Sequence, residues 1–362
     1  MLEIFNKWYR RYLFEEESVL LLVLLTIGVV LLMTIGDSLT PVLASVVLAY
    51  LMQGLANRLQ RIGLPQWLGV SLAYLVFLSI FFGVALGLLP LVWRQMISLV
   101  GETPRMLDQL RQFLEVLPER YPEMVNRDQL ETVVDLVKDE LAGLGQTAVA
   151  RSPTWIPGIF TVVIYMVLIP MLVFFFLRDR QQILAWVSNF LPRERPLLRR
   201  LWGEMDMQFA NYARGKVVEI IVVGAVSYLC FAFLGLKYAA LLGLLVGLSV
   251  IIPYIGAVLV TVPVLMVGFF QWGLASDFYY LLATYLVIQG VDGNVLVPLL
   301  FSEAVNLHPV AIIVAILFFG GIWGLWGVFF AIPLATLIKA IINAWPEPQS
   351  DQVAAPELNT HN

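Results

Sequence analysis

The sequence predicts an all-α, polytopic integral membrane protein of about eight transmembrane helices, with Gly/Pro-broken segments in its C-terminal half. Three observations carry this reading. Hydrophobic residues make up 60% of the 362 positions and charged residues only 13%, where a soluble domain carries about 25% charged. The mean hydropathy is +0.85. The apolar residues also gather in uninterrupted blocks, and nearly all the charge falls between them. A bilayer core of about 30 Å takes about 20 apolar residues in a helix.

The first block, 19–35, follows Lys7, Arg10 and Arg11. It lacks a small-residue cleavage site and reads as a retained span. Blocks 39–52 and 67–93 come next, separated by Arg58 and Arg61. Residues 1–93 are thus an N-terminal three-span region. A polar stretch, 94–151, holds seven Lys/Arg against ten Asp/Glu. Block 155–177 follows, then 178–216 with eight Lys/Arg against four Asp/Glu. Basic residues near span ends favour the cytoplasm. Both termini and 178–216 are therefore expected inside, and the 94–152 segment outside.

The outer segment reads as two amphipathic helices. Thr103 can cap the first, with Pro104 at its first position. Met106, Leu107, Leu110, Phe113, Leu114 and Leu117 follow at helical spacing, and Pro118 and Pro122 end it. Asp128 with Glu131 is a capping-box pattern for the second. Helices this short bury no core alone, so their stripes are expected to pack on each other, on the spans or on another copy. The inner segment, 180–215, also reads as two amphipathic helices, parted by Pro192 and Pro196 and rich in Trp and Arg. Such helices suit the headgroup layer, which makes membrane lipid a partner. Region 153–346 is the C-terminal membrane region. The tail, 347–362, has no periodicity and reads as disordered.

Blocks 217–236, 238–270, 278–301 and 309–342 complete the spans. Three of these four are interrupted. Ile252-Pro253-Tyr254-Ile255-Gly256 breaks the second, Asp292-Gly293-Asn294 the third, and a cluster from Gly320 through Gly321, Gly324 and Gly327 the fourth. Pro removes a helix hydrogen bond and Gly allows dihedrals a helix does not use. In hydrocarbon, freed backbone groups survive only against protein or a water-filled cavity. Broken apolar segments are also the usual sequence mark of a transporter's site. A plain reading stands beside this one. The spacings Gly83-x-x-x-Gly87, Gly243-x-x-x-Gly247 and Gly320-x-x-x-Gly324 also suit close helix packing. Whether 238–270 and 309–342 cross once or fold back stays open at this level.

Polar groups within the blocks are few, and each is a candidate. Asp292 is flanked by long apolar runs, and Asn294 beside it offers a neutral oxygen; an ordinary surface turn is the alternative. Glu219 follows Lys216 by three residues, so it either pairs there at the cytoplasmic edge or faces a path. Glu303 and His308 sit in a short polar link between two blocks. The expected transport path therefore comprises Asp292, Asn294, Pro253, Gly256, Gly320, Gly321, Gly324, Glu303, His308 and Glu219.

Absences narrow the class. The sequence has no phosphate loop, no H-E-x-x-H and no Cys/His cluster, and no G-x-S-x-G elbow. An enzyme is not expected, nor a cofactor or bound metal. No basic stripe suits nucleic acid. Cys230 is the single cysteine, so no disulfide can form within the chain.

At the broken segments the chain resembles the autoinducer-2 exporter family of bacterial permeases, most closely its PerM branch. The residues that carry the resemblance are Tyr212-x-x-Gly215-Lys216, Ile252-Pro253-Tyr254-Ile255-Gly256-Ala257, Asp292-Gly293-Asn294 with Pro298, the run from Phe301 and Ser302 to His308-Pro309, and Phe319-Gly320-Gly321 through Gly324, Gly327 and Pro333. The likeness extends from Trp8-Tyr9-Arg10-Arg11 to Ala344-Trp345-Pro346. It implies a multi-pass protein of the bacterial inner membrane that forms a homo-oligomer, with a pentamer the expected form. It also implies a permease that exports a small solute or exchanges cations for protons. The alternative is an oligomeric membrane scaffold that transports nothing and binds a partner through its outer helices.

Overall fold

The computed structural model describes residues 16–120, 155–191, 196–301 and 307–344, and among these every regular element is helical. In chain order the helices are α1 (Glu16–Ile35), α2 (Thr40–Arg61), α3 (Gln66–Gly83), α4 (Leu89–Arg120), α5 (Trp155–Arg178), α6 (Arg180–Ser188), α7 (Pro196–Phe233), α8 (Ala239–Ser249), α9 (Ile255–Trp272), α10 (Ser276–Val291), α11 (Val297–Phe301) and α12 (Pro309–Ala344). Single π-helical turns, Val84–Leu88 and Asp292–Leu296, join α3 to α4 and α10 to α11. Seven helical runs are long and apolar enough to cross a membrane. Their outward side chains are themselves apolar: Leu86, Val167 and Leu299 are all at least 64% exposed. In water such a surface would aggregate; in lipid it is the solvated face. The chain is a polytopic all-α membrane protein.

The chain divides into two units, Thr40–Val187 with Ala210–Val305, and Met1–Leu39 with Ser188–Phe209 and Asn306–Asn362. In the larger unit, α2, α3 and α5 meet through Ala49, Ala56, Ala73, Phe77, Val173 and Leu177. Small residues let the backbones approach, and hydroxyls then reach main-chain oxygens. Ser45 donates to Pro41 O at 2.6 Å and to Ile169 O at 3.3 Å. Tyr74 donates to the carbonyl of Pro170, the proline inside α5, at 3.2 Å.

A second core joins α7 to α10 through Val223, Phe231, Leu242, Val246, Val264, Leu281 and Tyr285. Here the glycine spacing does what close packing requires. A Cβ on Gly243 would stand 2.8 Å from the Tyr228 backbone, and one on Gly247 2.7 Å from Ile220 O. After α8 the chain reverses over Val250–Tyr254, and Gly256 comes to rest against the Ser249 carbonyl. Eleven residues span only about 16 Å, about half a bilayer core. The 238–270 block therefore folds back as a helical hairpin. Tyr254, at the turn, holds a φ of 65°, a strained setting for a bulky residue.

In the smaller unit α12 folds back too. Gly324 has φ 58° and ψ −136°, which only glycine adopts readily. Gly327 packs against the Phe319 carbonyl, eight positions away, and Gly320 faces Val328. Both arms line one apolar cleft, with Ala311, Ala315 and Phe319 opposite Ala335 and Ile338. Phe330 stacks on Phe209, Trp323 and Trp326, and Leu21, Leu201 and Ile341 pack together.

Several local expectations are corrected. Thr103 does not cap a helix: α4 runs through it and through Pro104 and Pro118, and the Thr103 hydroxyl donates to Leu99 O at 3.0 Å. Extending an existing helix is cheaper than nucleating another. The stripe from Leu198 to Tyr212 is not a separate surface helix but the first half of α7. Gly83 precedes a π turn and Gly87 lies within it, with nothing of the described chain within 4 Å of an added Cβ. Asp292-Gly293-Asn294 is neither a surface turn nor a break, because the helix continues through it. The N-terminal Trp8–Arg11 motif, Pro122, the Asp128/Glu131 pattern, Pro192, Glu303 and the tail lie outside the described residues.

Candidate functional site

The larger unit buries a cluster of charge where α7, the α8–α9 fold-back and the π turn after α10 converge. Lys216, on α7, is its centre. Its Nζ lies 2.7 Å from Glu219 Oε2, one helical turn on, with side chains only 4% and 2% exposed. The contact is a close ion pair between two buried groups. The same Nζ donates to Val250 O at 2.9 Å. Val250 follows the last residue of α8, so a cation sits at the carbonyl end of that helix, where the dipole favours it. Lys216 also lies 5.1 Å from the Phe301 ring centre, a favourable cation–π placement. Gly215 makes this possible: a Cβ there would be 2.8 Å from Phe301 Cε1. Tyr212, 3% exposed, closes the same side with its ring 5.8 Å from that of Phe301.

Asp292 completes the cluster. It is 8% exposed and interacts electrostatically with both Lys216 and Glu219. Its Oδ1 is buried and, among the described residues, accepts no hydrogen bond. A buried charge left short of partners is costly. Insertion scales put a carboxylate at the bilayer centre at about 2.5–3.5 kcal/mol. Groups held at that cost are functional candidates rather than packing.

A polar column leads from Asp292 along α10. Gln289 Nε2 donates to Tyr285 Oη at 2.9 Å; that hydroxyl lies 2.9 Å from Thr261 Oγ1 and donates to Ala257 O at 3.1 Å. Tyr285, Gln289 and Asp292 are at i, i+4 and i+7, one face of a helix. Ala257 directly follows Gly256, so the column runs back to the fold-back. Ser227, two turns beyond Glu219 on α7, is buried, and its hydroxyl has no partner among the described residues.

Of the residues expected to form a path, Asp292 and Glu219 are the two buried carboxylates of this cluster, and Pro253 and Gly256 shape the adjoining turn. Asn294 is exposed and its Nδ2 donates to Gly290 O at 2.8 Å. Gly320, Gly321 and Gly324 belong to the second fold-back, in the smaller unit. His308 is exposed ahead of α12, where Nδ1 accepts from Val310 N at 3.3 Å. Sequence reasoning paired Lys216 with Glu219 but missed that the pair is buried, and it passed over Tyr285, Thr261 and Gln289. The i, i+4, i+7 spacing of Tyr285, Gln289 and Asp292 was the available signal. No three His, Cys, Asp or Glu side chains converge among the described residues. The cluster offers two carboxylates and a carbonyl, donors for a proton or a hard cation rather than a transition metal.

The relatives agree with a transport role. Over 352 residues the chain is 46% identical to "Putative permease PerM" of Escherichia coli (strain K12), covering 97% of this chain and all of that one. It is 23% identical over 334 residues to "AI-2 transport protein TqsA" of the same organism, covering 90% and 91% of the two chains. The AI-2E family transporter model matches residues 19–347. With nearly its whole length matched, the chain belongs to the AI-2E transporter family.

Proposed function

We propose that this protein is a secondary transporter of the bacterial inner membrane, with both termini cytoplasmic, and that Asp292 and Glu219 load its coupling ion. The observation that carries this is the buried Asp292 carboxylate with an unpaired oxygen, set against a Lys216–Glu219 pair at the tip of a helical fold-back. A proton or a monovalent cation satisfies that oxygen; no described residue of the cluster does. Cation–proton exchange is the reading the site supports best. Export of a small solute driven through the same carboxylates is the second reading, favoured by the name of one relative as an AI-2 transport protein. Assembly of several copies, with a pentamer as the expected form, is what the family resemblance implies.

The test is cation-driven proton flux in proteoliposomes that enclose a pH dye and are challenged with Na⁺, Li⁺ or K⁺. Asp292→Asn abolishes the flux while leaving elution volume and yield unchanged. If Asp292→Asn exchanges as well as the parent, the site assignment is wrong. A scaffold that transports nothing would tolerate the neutralisation and show no flux at all.

A further inference from the structure

Resting on the site reading above, we infer that the cluster takes up one unit of positive charge per turnover. Exchange is then electroneutral, one proton against one monovalent cation, with Lys216 as the fixed countercharge. The inference comes from counting the buried charges. Glu219 and Asp292 contribute two negative charges and Lys216 one positive, leaving a net of minus one.

Among the described residues, the elements around the cluster add nothing to this sum. Helices α8, α9 and α11 carry no charged residue. On α10 the other acid is Asp277, in the first turn, about 22 Å along the helix from Asp292. Arg214, on α7, is exposed and turned to Asn211 Oδ1 at 3.0 Å. Tyr212, Tyr285, Thr261 and Gln289 are neutral.

Burial makes the sum consequential. A site enclosed in protein at membrane depth moves most readily when its total charge is zero. The empty site, at minus one, is held back. A proton on Asp292 brings it to zero, and so does a monovalent cation between the two carboxylates. A divalent cation overshoots to plus one. The two neutral forms are the ones that travel, so each inward proton is matched by one outward monovalent ion or the reverse. Lys216 sets this stoichiometry because it cancels one of the two acids. It also binds the Val250 carbonyl at the tip of the fold-back, so the charge count and the position of that tip share one group.

The experiment measures the null point of exchange in proteoliposomes, the ratio of cation gradient to proton gradient at which flux stops. The null point is read with the membrane potential clamped at zero and at about 100 mV. Electroneutral exchange leaves it unmoved, whereas one net charge per cycle would displace it about fifty-fold. The parent protein should also ignore Ca²⁺ and Mg²⁺ and depend on Na⁺ or Li⁺ with a Hill coefficient near one. K216Q raises the site to minus two; it should gain Ca²⁺- or Mg²⁺-driven proton flux and a steeper dependence on monovalent ions. A null point that moves with potential, divalent flux in the parent, or a K216Q that transports but stays strictly monovalent would each overturn the stoichiometry while leaving the site reading intact. If K216Q does not fold, the parent's null point decides alone. Absence of flux with Na⁺, Li⁺ and K⁺ would overturn both.

Discussion

Gly247→Ala tests whether the glycine contacts between α7 and α8 hold the charged site in place. The added Cβ would stand 2.7 Å from Ile220 O and 2.8 Å from Gly224 Cα, both on α7 and both backbone. Ordinary contact begins near 3.4 Å, so α8 must move off α7 by about 0.7 Å. No side chain can give way instead. Val250 lies three residues past Gly247, and Lys216 lies four before Ile220, so the displacement falls across the Lys216–Val250 bond. That bond would lengthen from 2.9 Å to about 3.6 Å, beyond hydrogen-bond reach. Overpacking costs about 1–3 kcal/mol, offset by about 0.5–1 kcal/mol from replacing glycine inside a helix. Losing a hydrogen bond to a charged group adds about 1.5–3 kcal/mol. Thermal unfolding in mild detergent, followed by intrinsic fluorescence, should show a clear loss together with reduced flux. Gly203→Ala is the control: it lies on α7, with nothing of the described chain within 4 Å of an added Cβ, and it should be neutral or slightly stabilising. If Gly247→Ala matches the parent in both stability and flux, the glycine contacts do not position the site.

Two further perturbations probe the buried pair and the second fold-back. Lys216→Met strands Glu219 without its cation and should lower stability by about 3–5 kcal/mol, while Lys216→Met with Glu219→Leu recovers most of that loss; equal losses for the single and double variants would mean the pair is not coupled. Gly324→Ala must hold φ 58° and ψ −136° with a side chain and should cost about 1–3 kcal/mol; unfolding at the parent's temperature would show that the fold-back turns elsewhere.

The spans were legible because bilayer thickness fixes one length, and uninterrupted apolar blocks report it directly. Their breaks were legible in kind: Pro253 with Gly256, and Gly324, both mark reversals. What the sequence did not yield was depth. Lys216 and Glu219 are three apart at the end of a basic stretch, which on pattern alone suits an exposed edge. Only the approach of Val250 and Phe301, 34 and 85 positions away, buries them, and no local signal encodes that. Thr103–Pro104 misled for the opposite reason. It has the composition of a helix start, but a helix already under way needs no new nucleus. Asp292-Gly293-Asn294 misled similarly, since its turn-forming residues are absorbed as one wide π turn.

That π turn acts as a dislocation in the lattice of the α10–α11 rod. One residue too many is accommodated, and everything beyond it is rotated by about 100° relative to an uninterrupted helix. Phe301 lies beyond the defect, and its ring reaches Gly215 and Lys216 with the phase that the defect sets. Asp292 opens the defect itself. A single inserted position therefore tunes two contacts at once, the carboxylate that faces the cluster and the aromatic ring that covers it. Shortening the loop of the turn by one residue would not merely remove a bulge; it would swing the ring away from the lysine while the rest of the helix kept its place.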